Sequence, residues 1–150
     1  MRKLILILSL IFIVTLSSPS YAEGLICKFT GWNCPVDIKD LVKRKGLYYK
    51  KVSDVPFTGK TTGKVQGSLK NGEFHGPYVD YWDNGKLWSK GTYKDGKEEG
   101  PWVTYYKNGQ LWGKGTFKDG KKEGPWVWYR KDGTVWERYT GTYKNGVKVK

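Results

Sequence analysis

One six-residue phrase returns along this chain at a nearly fixed interval, and few folds accommodate that. Gly91-Thr92-Tyr93-Lys94-Asp95-Gly96 recurs as Gly115-Thr116-Phe117-Lys118-Asp119-Gly120 and Gly141-Thr142-Tyr143-Lys144-Asn145-Gly146, with a looser copy at Gly67-Ser68-Leu69-Lys70-Asn71-Gly72. The opening glycines step by 24, 24 and 26 residues. Gly76-Pro77-Tyr78-Val79 returns in the same way as Gly100-Pro101-Trp102-Val103 and Gly124-Pro125-Trp126-Val127. A period in this range marks an array of stacked supersecondary units, each burying an apolar side against its neighbours.

Each unit carries two turn signals: Asx-Gly at 71–72, 95–96, 119–120 and 145–146, and again at 84–85, 108–109 and 132–133. These pairs accept positive φ cheaply and are the strongest short hairpin signal a sequence offers. Between them lie short runs rich in Trp, Tyr, Val and Thr, which suit strands. The turn glycines are 13, 11, 13, 11, 13 and 13 residues apart. That leaves room for strands of about 6–9 residues. The expected fold is therefore all-β: a meander sheet of antiparallel hairpins, about two strands per unit, behind a short irregular N-terminal cap.

Which face is buried turns on the loops. Two-residue Asn-Gly loops would set Trp102 opposite Gly115, an aromatic covering a glycine. Three-residue loops with glycine in a bulge would instead gather Val103 and Tyr105 with Leu111, Gly113, Gly115 and Phe117. The second arrangement is the expectation. It places the positions that differ between units (Asp80, Thr104 and Trp128; Trp82, Tyr106 and Arg130) with Lys114, Thr116 and Lys118 on the solvent face. The third unit carries two extra residues between Trp136 and Gly141. An even insertion preserves side-chain alternation, so a longer strand is expected there.

The N-terminus reads as an export signal. Arg2 and Lys3 precede an apolar run from Leu4 to Leu16, followed by small residues at Ser20 and Ala22. This predicts a signal peptide over 1–22, cleaved after Ala22. The run is short of the roughly 20 residues a membrane span needs. Gly24-Leu25-Ile26 before Cys27 does not suit a lipoprotein site. Removal of 1–22 takes the formal charge from +13 to +11, because Arg2 and Lys3 leave. An exported chain with two cysteines, Cys27 and Cys34, is expected to bridge them. Residues 23–56 form the expected cap, with a short helix within Pro35 to Gly46, a strand from Gly46 to Lys50 and a turn at Ser53 to Pro56. Residues 57–150 form the repeat domain.

No constellation for catalysis, cofactor or metal is legible. His75 is the one histidine, and it holds the slot of Glu99 and Glu123, which points to an exposed place near a turn. One histidine and two bridged cysteines fall short of a metal-ligand set. The candidate binding face is a stripe of Trp88, Trp112 and Trp136 beside Lys90, Lys114 and Arg138. Indoles stack on sugars or settle at lipid interfaces, and cations meet phosphate or carboxylate. Packing is the other use such repeated aromatics have. A basic exported chain is drawn to anionic lipid or acidic glycan; nucleic acid is not an expected partner.

The unit Gly-Thr-Tyr/Phe-Lys-Asx-Gly followed by Gly-Pro-Trp-Val-x-Tyr resembles the MORN repeat, in its bacterial variant class, over residues 57–150. The resemblance implies a β-hairpin array with lipid-binding, scaffolding or accessory roles and no catalytic residue in the repeat. Proteins of that class also carry an antitoxin label, from which an exported chain departs, since a cytosolic toxin is out of its reach. The expected function is a periplasmic or secreted non-enzymatic scaffold that binds a protein partner or envelope component. The alternative is peripheral binding of anionic lipid or acidic glycan.

Overall fold

The structure, a computed structural model, describes Cys27 and residues 34–150. The expected signal peptide lies outside the described residues. The chain divides into two units, Met1–Cys34 and Pro35–Lys150. In the first, Cys27 and Cys34 stand at disulfide distance, their Cα atoms 4.9 Å apart.

The second unit is built almost wholly of strands. They are β1 (Val36–Asp37), β2 (Leu41–Arg44), β3 (Leu47–Lys50), β4 (Gly59–Thr62), β5 (Val65–Lys70), β6 (Glu73–Phe74) and β7 (Gly76–Tyr81). The remainder are β8 (Leu87–Lys94), β9 (Lys97–Tyr105), β10 (Leu111–Lys118), β11 (Lys121–Trp128), β12 (Gly141–Lys144) and β13 (Val147–Lys148). One sheet of 11 strands runs β1-β4-β5-β7-β8-β9-β10-β11-β12-β13, with β6 alongside β5. From β4 onward it is the expected antiparallel meander, and β1 adds itself in parallel to β4. β2 and β3 form a separate hairpin.

The two turn signals fold differently. Asp95 and Gly96 both take positive φ, +47° and +76°, and Lys94 pairs with Lys97 across a two-residue turn. At Asn108-Gly109 only the glycine does so, at +91°. Gly109 N–H donates to Tyr106 O at 2.8 Å and Tyr106 N–H to Gln110 O at 2.9 Å, closing a three-residue loop.

That loop is the type expected, and β10 buries the expected side, Gly113, Gly115 and Phe117, with Lys114, Thr116 and Lys118 in solvent, but the strands beside it bury the opposite one. Leu111 pairs with Tyr105 but Gly113 pairs with Thr104, so Trp112 is an extra residue bulged from the ladder. A one-residue slip exchanges the faces of everything beyond it. Trp102 consequently pairs with Gly115 and Val103 with Lys114. Trp88 is bulged in the same way between Leu87 and Ser89.

The face assignment is therefore corrected. Trp102 and Trp126 are 8% and 1% exposed. Asp80, placed in solvent by the sequence, is 4% exposed, and Trp128 stacks on Trp126 at 5.3 Å. Trp82 Nε1 donates to Tyr105 O at 3.1 Å and Tyr106 Oη to Tyr129 O at 2.8 Å, so the varying positions tie one unit to the next.

Two further expectations give way. Residues 137–140 do not lengthen a strand. Tyr139 and Thr140 N–H both donate to Trp136 O at 3.0 Å, forming a turn before β12 begins at Gly141. The helix expected within Pro35 to Gly46 shrinks to a 3-10 turn, Ile38–Asp40, where Asp37 accepts from Lys39 N–H. Leu41–Arg44 is a strand, because Lys45-Gly46 closes a two-residue turn (φ +49° and +86°) onto β3. Gly46, read as a helix stop, is a hairpin residue.

Packing is continuous along the aromatic face. Leu41, Phe57 and Leu69 form a core under the cap with Tyr48 and Phe74 against it. From there ring follows ring: Tyr48 to Phe74 at 5.5 Å, Phe74 to Tyr78 at 5.0 Å, Tyr78 to Trp102 at 5.7 Å. Trp102 then meets Phe117 at 5.8 Å, and Phe117 meets Trp126 at 4.9 Å. Such pairs contribute about 0.5–1.5 kcal/mol each beyond the area they bury.

Candidate functional site

With the rings consumed on one side, the other side of the sheet stays open. Register builds it row by row. Val79 pairs with Lys90, Lys90 with Val103, Val103 with Lys114 and Lys114 with Val127, giving an alternating row across five strands. A second row pairs Pro77 with Thr92 and Pro101 with Thr116. Together they line a shallow groove of about 820 Å³.

Alternation along β8 and β10 puts Lys94 and Lys118 on this face too, two residues beyond Thr92 and Thr116. Each sits directly opposite another lysine, Lys97 and Lys121, and all four are exposed. Like charges facing each other across a ladder disfavour the sheet. Among the described residues, none of these lysines, nor Lys90 or Lys114, has an ion-pair partner. Cations nearer the cap differ: Lys64 meets Asp83 at 2.7 Å and Arg44 meets Asp54 at 3.0 Å.

The Trp-Lys stripe is dismembered by the same register. Lys90 and Lys114 come together in the groove. Trp112 is on the packed face, 5.5 Å from Trp128, whose ring lies over Gly113. Trp88 packs against Trp82 at 5.1 Å. Trp136 and Arg138 fall in the turn before β12, with Tyr139 edge-on to Trp136 at 4.6 Å and Arg138 over the Tyr139 ring at 5.7 Å. Indoles and groove lysines thus occupy opposite faces, and the bulges at Trp88 and Trp112 are the reason.

Sequence reasoning missed three features. The slot of His75, Glu99 and Glu123 holds the next unit's turn: Glu99 Oε2 accepts from Asp119 N–H at 2.9 Å, and Glu123 Oε2 from Asn145 N–H at 2.9 Å. His75 Nδ1 lies 3.4 Å from Asp95 N in the equivalent place. Lys122 is packed among rings, its Nζ 4.4 Å from Trp128 and 5.1 Å from both Trp126 and Tyr143, and burial lowers its pKa. Asp80 is buried within the sheet, where Tyr78 Oη donates to Oδ2 at 3.2 Å and Oδ1 has no partner. Burial raises the Asp80 carboxyl above the ordinary aspartate range, and burial followed by that carboxylate raises the Tyr78 phenol. The fixed spacing of 24 between Glu99 and Glu123 was the available signal for the first of these.

Among the described residues no His, Cys, Asp or Glu group could hold a metal ion, and no helix is long and apolar enough to cross a membrane. What remains is a β-hairpin repeat array with one packed face and one open cationic face, the architecture of a repeat scaffold or binding module. Residues 74–95 and 98–119 match the family model described as MORN repeat variant. Each match takes in one hairpin closed by a three-residue loop, β7–β8 and β9–β10. A search of curated proteins found no match.

Proposed function

We propose that this chain is an exported, non-enzymatic scaffold whose groove face holds an anionic component of the cell envelope. The observation that carries the proposal is the row in which Lys90 and Lys114 alternate with Val79, Val103 and Val127, open to solvent and without ion-pair partners among the described residues. Sheet faces do not need unpaired cations for packing, and every unit already packs through its rings. Export is supported by the signal-like 1–22 segment and by a cysteine pair at disulfide distance, a combination suited to an oxidising compartment. No observation favours the antitoxin label.

Binding governed by exposed charge is screened by salt, whereas an apolar-cored protein interface is much less so. Cosedimentation of the purified protein with envelope fragments tests this. Wild type is expected to pellet with the fragments at low salt and to be released at high salt, while Lys90→Gln/Lys114→Gln stays in the supernatant throughout. A double variant that pellets as well as wild type overturns the proposal.

A further inference from the structure

We infer that the groove selects a linear acidic polysaccharide whose charges fall two sugars apart, an inference that rests on the reading of the face as an anion-binding one. The spacing of the cations selects this ligand. Lys90 and Lys114 stand on strands separated by one intervening strand, as do Lys94 and Lys118. Neighbouring strands lie about 4.8 Å apart, so equivalent cations repeat at about 9.6 Å along the groove. That is close to the length of a disaccharide in an extended chain. An extended acidic peptide presents same-side carboxylates every ~6.8 Å, twice its rise per residue, and drifts out of step after one or two units.

The chemistry between the cations agrees. Thr92 and Thr116 supply exposed hydroxyls between Lys90 and Lys94 and between Lys114 and Lys118. Pro77, Pro101 and Pro125 are exposed beside them and lack N–H donors, leaving an apolar ledge of the kind a sugar ring's C–H face can rest on. Glu99 and Glu123 stand in this row, opposite Thr92 and Thr116, and each turns its Oε2 to a turn amide of the following unit. A carboxylate laid between Lys94 and Lys97, or between Lys118 and Lys121, relieves the repulsion of each pair.

A bilayer fits less well. β-Sheets as a rule twist from strand to strand, so a plane meets few rungs while a flexible chain can follow them all. The groove offers half-buried valines and no exposed aromatic anchor for insertion.

Calorimetric titration of the full protein with four probes tests the inference: hyaluronate oligosaccharides, with one carboxylate per disaccharide; polygalacturonate, charged on every sugar; poly-glutamate; and phosphatidylglycerol vesicles. Hyaluronate is expected to bind most tightly at equal charge concentration, with affinity rising up to oligomers that span two units. Lys90→Gln/Lys114→Gln should weaken it about tenfold, as the loss of two exposed charge contacts implies, with an unchanged circular dichroism spectrum. If poly-glutamate or vesicles bind more tightly, or if polygalacturonate matches hyaluronate, the spacing inference is wrong while the anion-binding reading stands. If no probe binds, or the double variant binds as wild type does, both fail.

Discussion

Trp126 lies flat against Gly115, so close that a methyl group on the glycine would fall 2.2 Å from the indole Cδ2. Trp102 bears the same relation to Gly91, where the nearest ring carbon would be 1.9 Å away. In these two units the opening glycine of the phrase is thus the seat of the aromatic that follows the Gly-Pro step. Gly115→Val should destabilise the protein by about 1–3 kcal/mol through overpacking. Thermal melting of the variant checks it; an unchanged midpoint would place the indole elsewhere.

The converse substitution removes the ring. Trp126→Ala deletes a side chain that is 1% exposed and touches Phe117 and Trp128. A loss of about 3–5 kcal/mol is expected in denaturant titration. Trp136→Ala, in the turn and only half-buried, should cost clearly less.

How far these relations were legible depends on the length scale. The period and the turn pairs named the hairpins, because Asp95-Gly96 and Asn108-Gly109 each impose a local backbone that the sequence states outright. The face of β10 was legible, with Lys114, Thr116 and Lys118 in solvent as expected; those of β7, β9 and β11 were not. They hang on the single bulged residues Trp88 and Trp112, and nothing in an alternation count distinguishes a bulged tryptophan from a paired one. Lys90 and Lys114 were picked out as a binding pair; their neighbours proved to be Val103 and Thr116 and not Trp112. Leu41–Arg44 was misread because Lys45-Gly46 serves equally as a helix stop and a hairpin turn.

Asp80 provides a pH-dependent test. Its folded carboxyl titrates above the unfolded value because burial penalises the charge. Stability contributed by the neutral form is therefore complete below about pH 3.9, the unfolded value, and is lost as pH rises through the folded one. Asp80→Thr, copying Thr104 of the next unit, should raise stability at pH 7 by about 1 kcal/mol, the scale of a relieved buried polar group. The advantage should shrink toward pH 4. A gain that is independent of pH would assign the effect to strand propensity and not to charge.

Glu99 couples units rather than decorating one. Its Oε2 takes the Asp119 N–H of the following turn, so Glu99→Ala should cost about 0.5–1 kcal/mol. Hydrogen exchange should show faster exchange at the Asp119 amide with Asp95 unaffected. Equal rates at Asp119 in wild type and variant would mean the contact does not persist in solution.

The central claim is a division of labour between faces, rings for packing on one and lysines for binding on the other. Lysine-reactivity footprinting by mass spectrometry, with and without envelope material, tests it most directly. Lys90 and Lys114 are expected to react freely in the unbound protein and to be protected when bound. Lys122, packed among Trp126, Trp128 and Tyr143, should react slowly in both states, and exposed Lys43 on the cap hairpin should react alike in both. Protection confined to Lys43 and its neighbours, with Lys90 and Lys114 unchanged, would contradict the account.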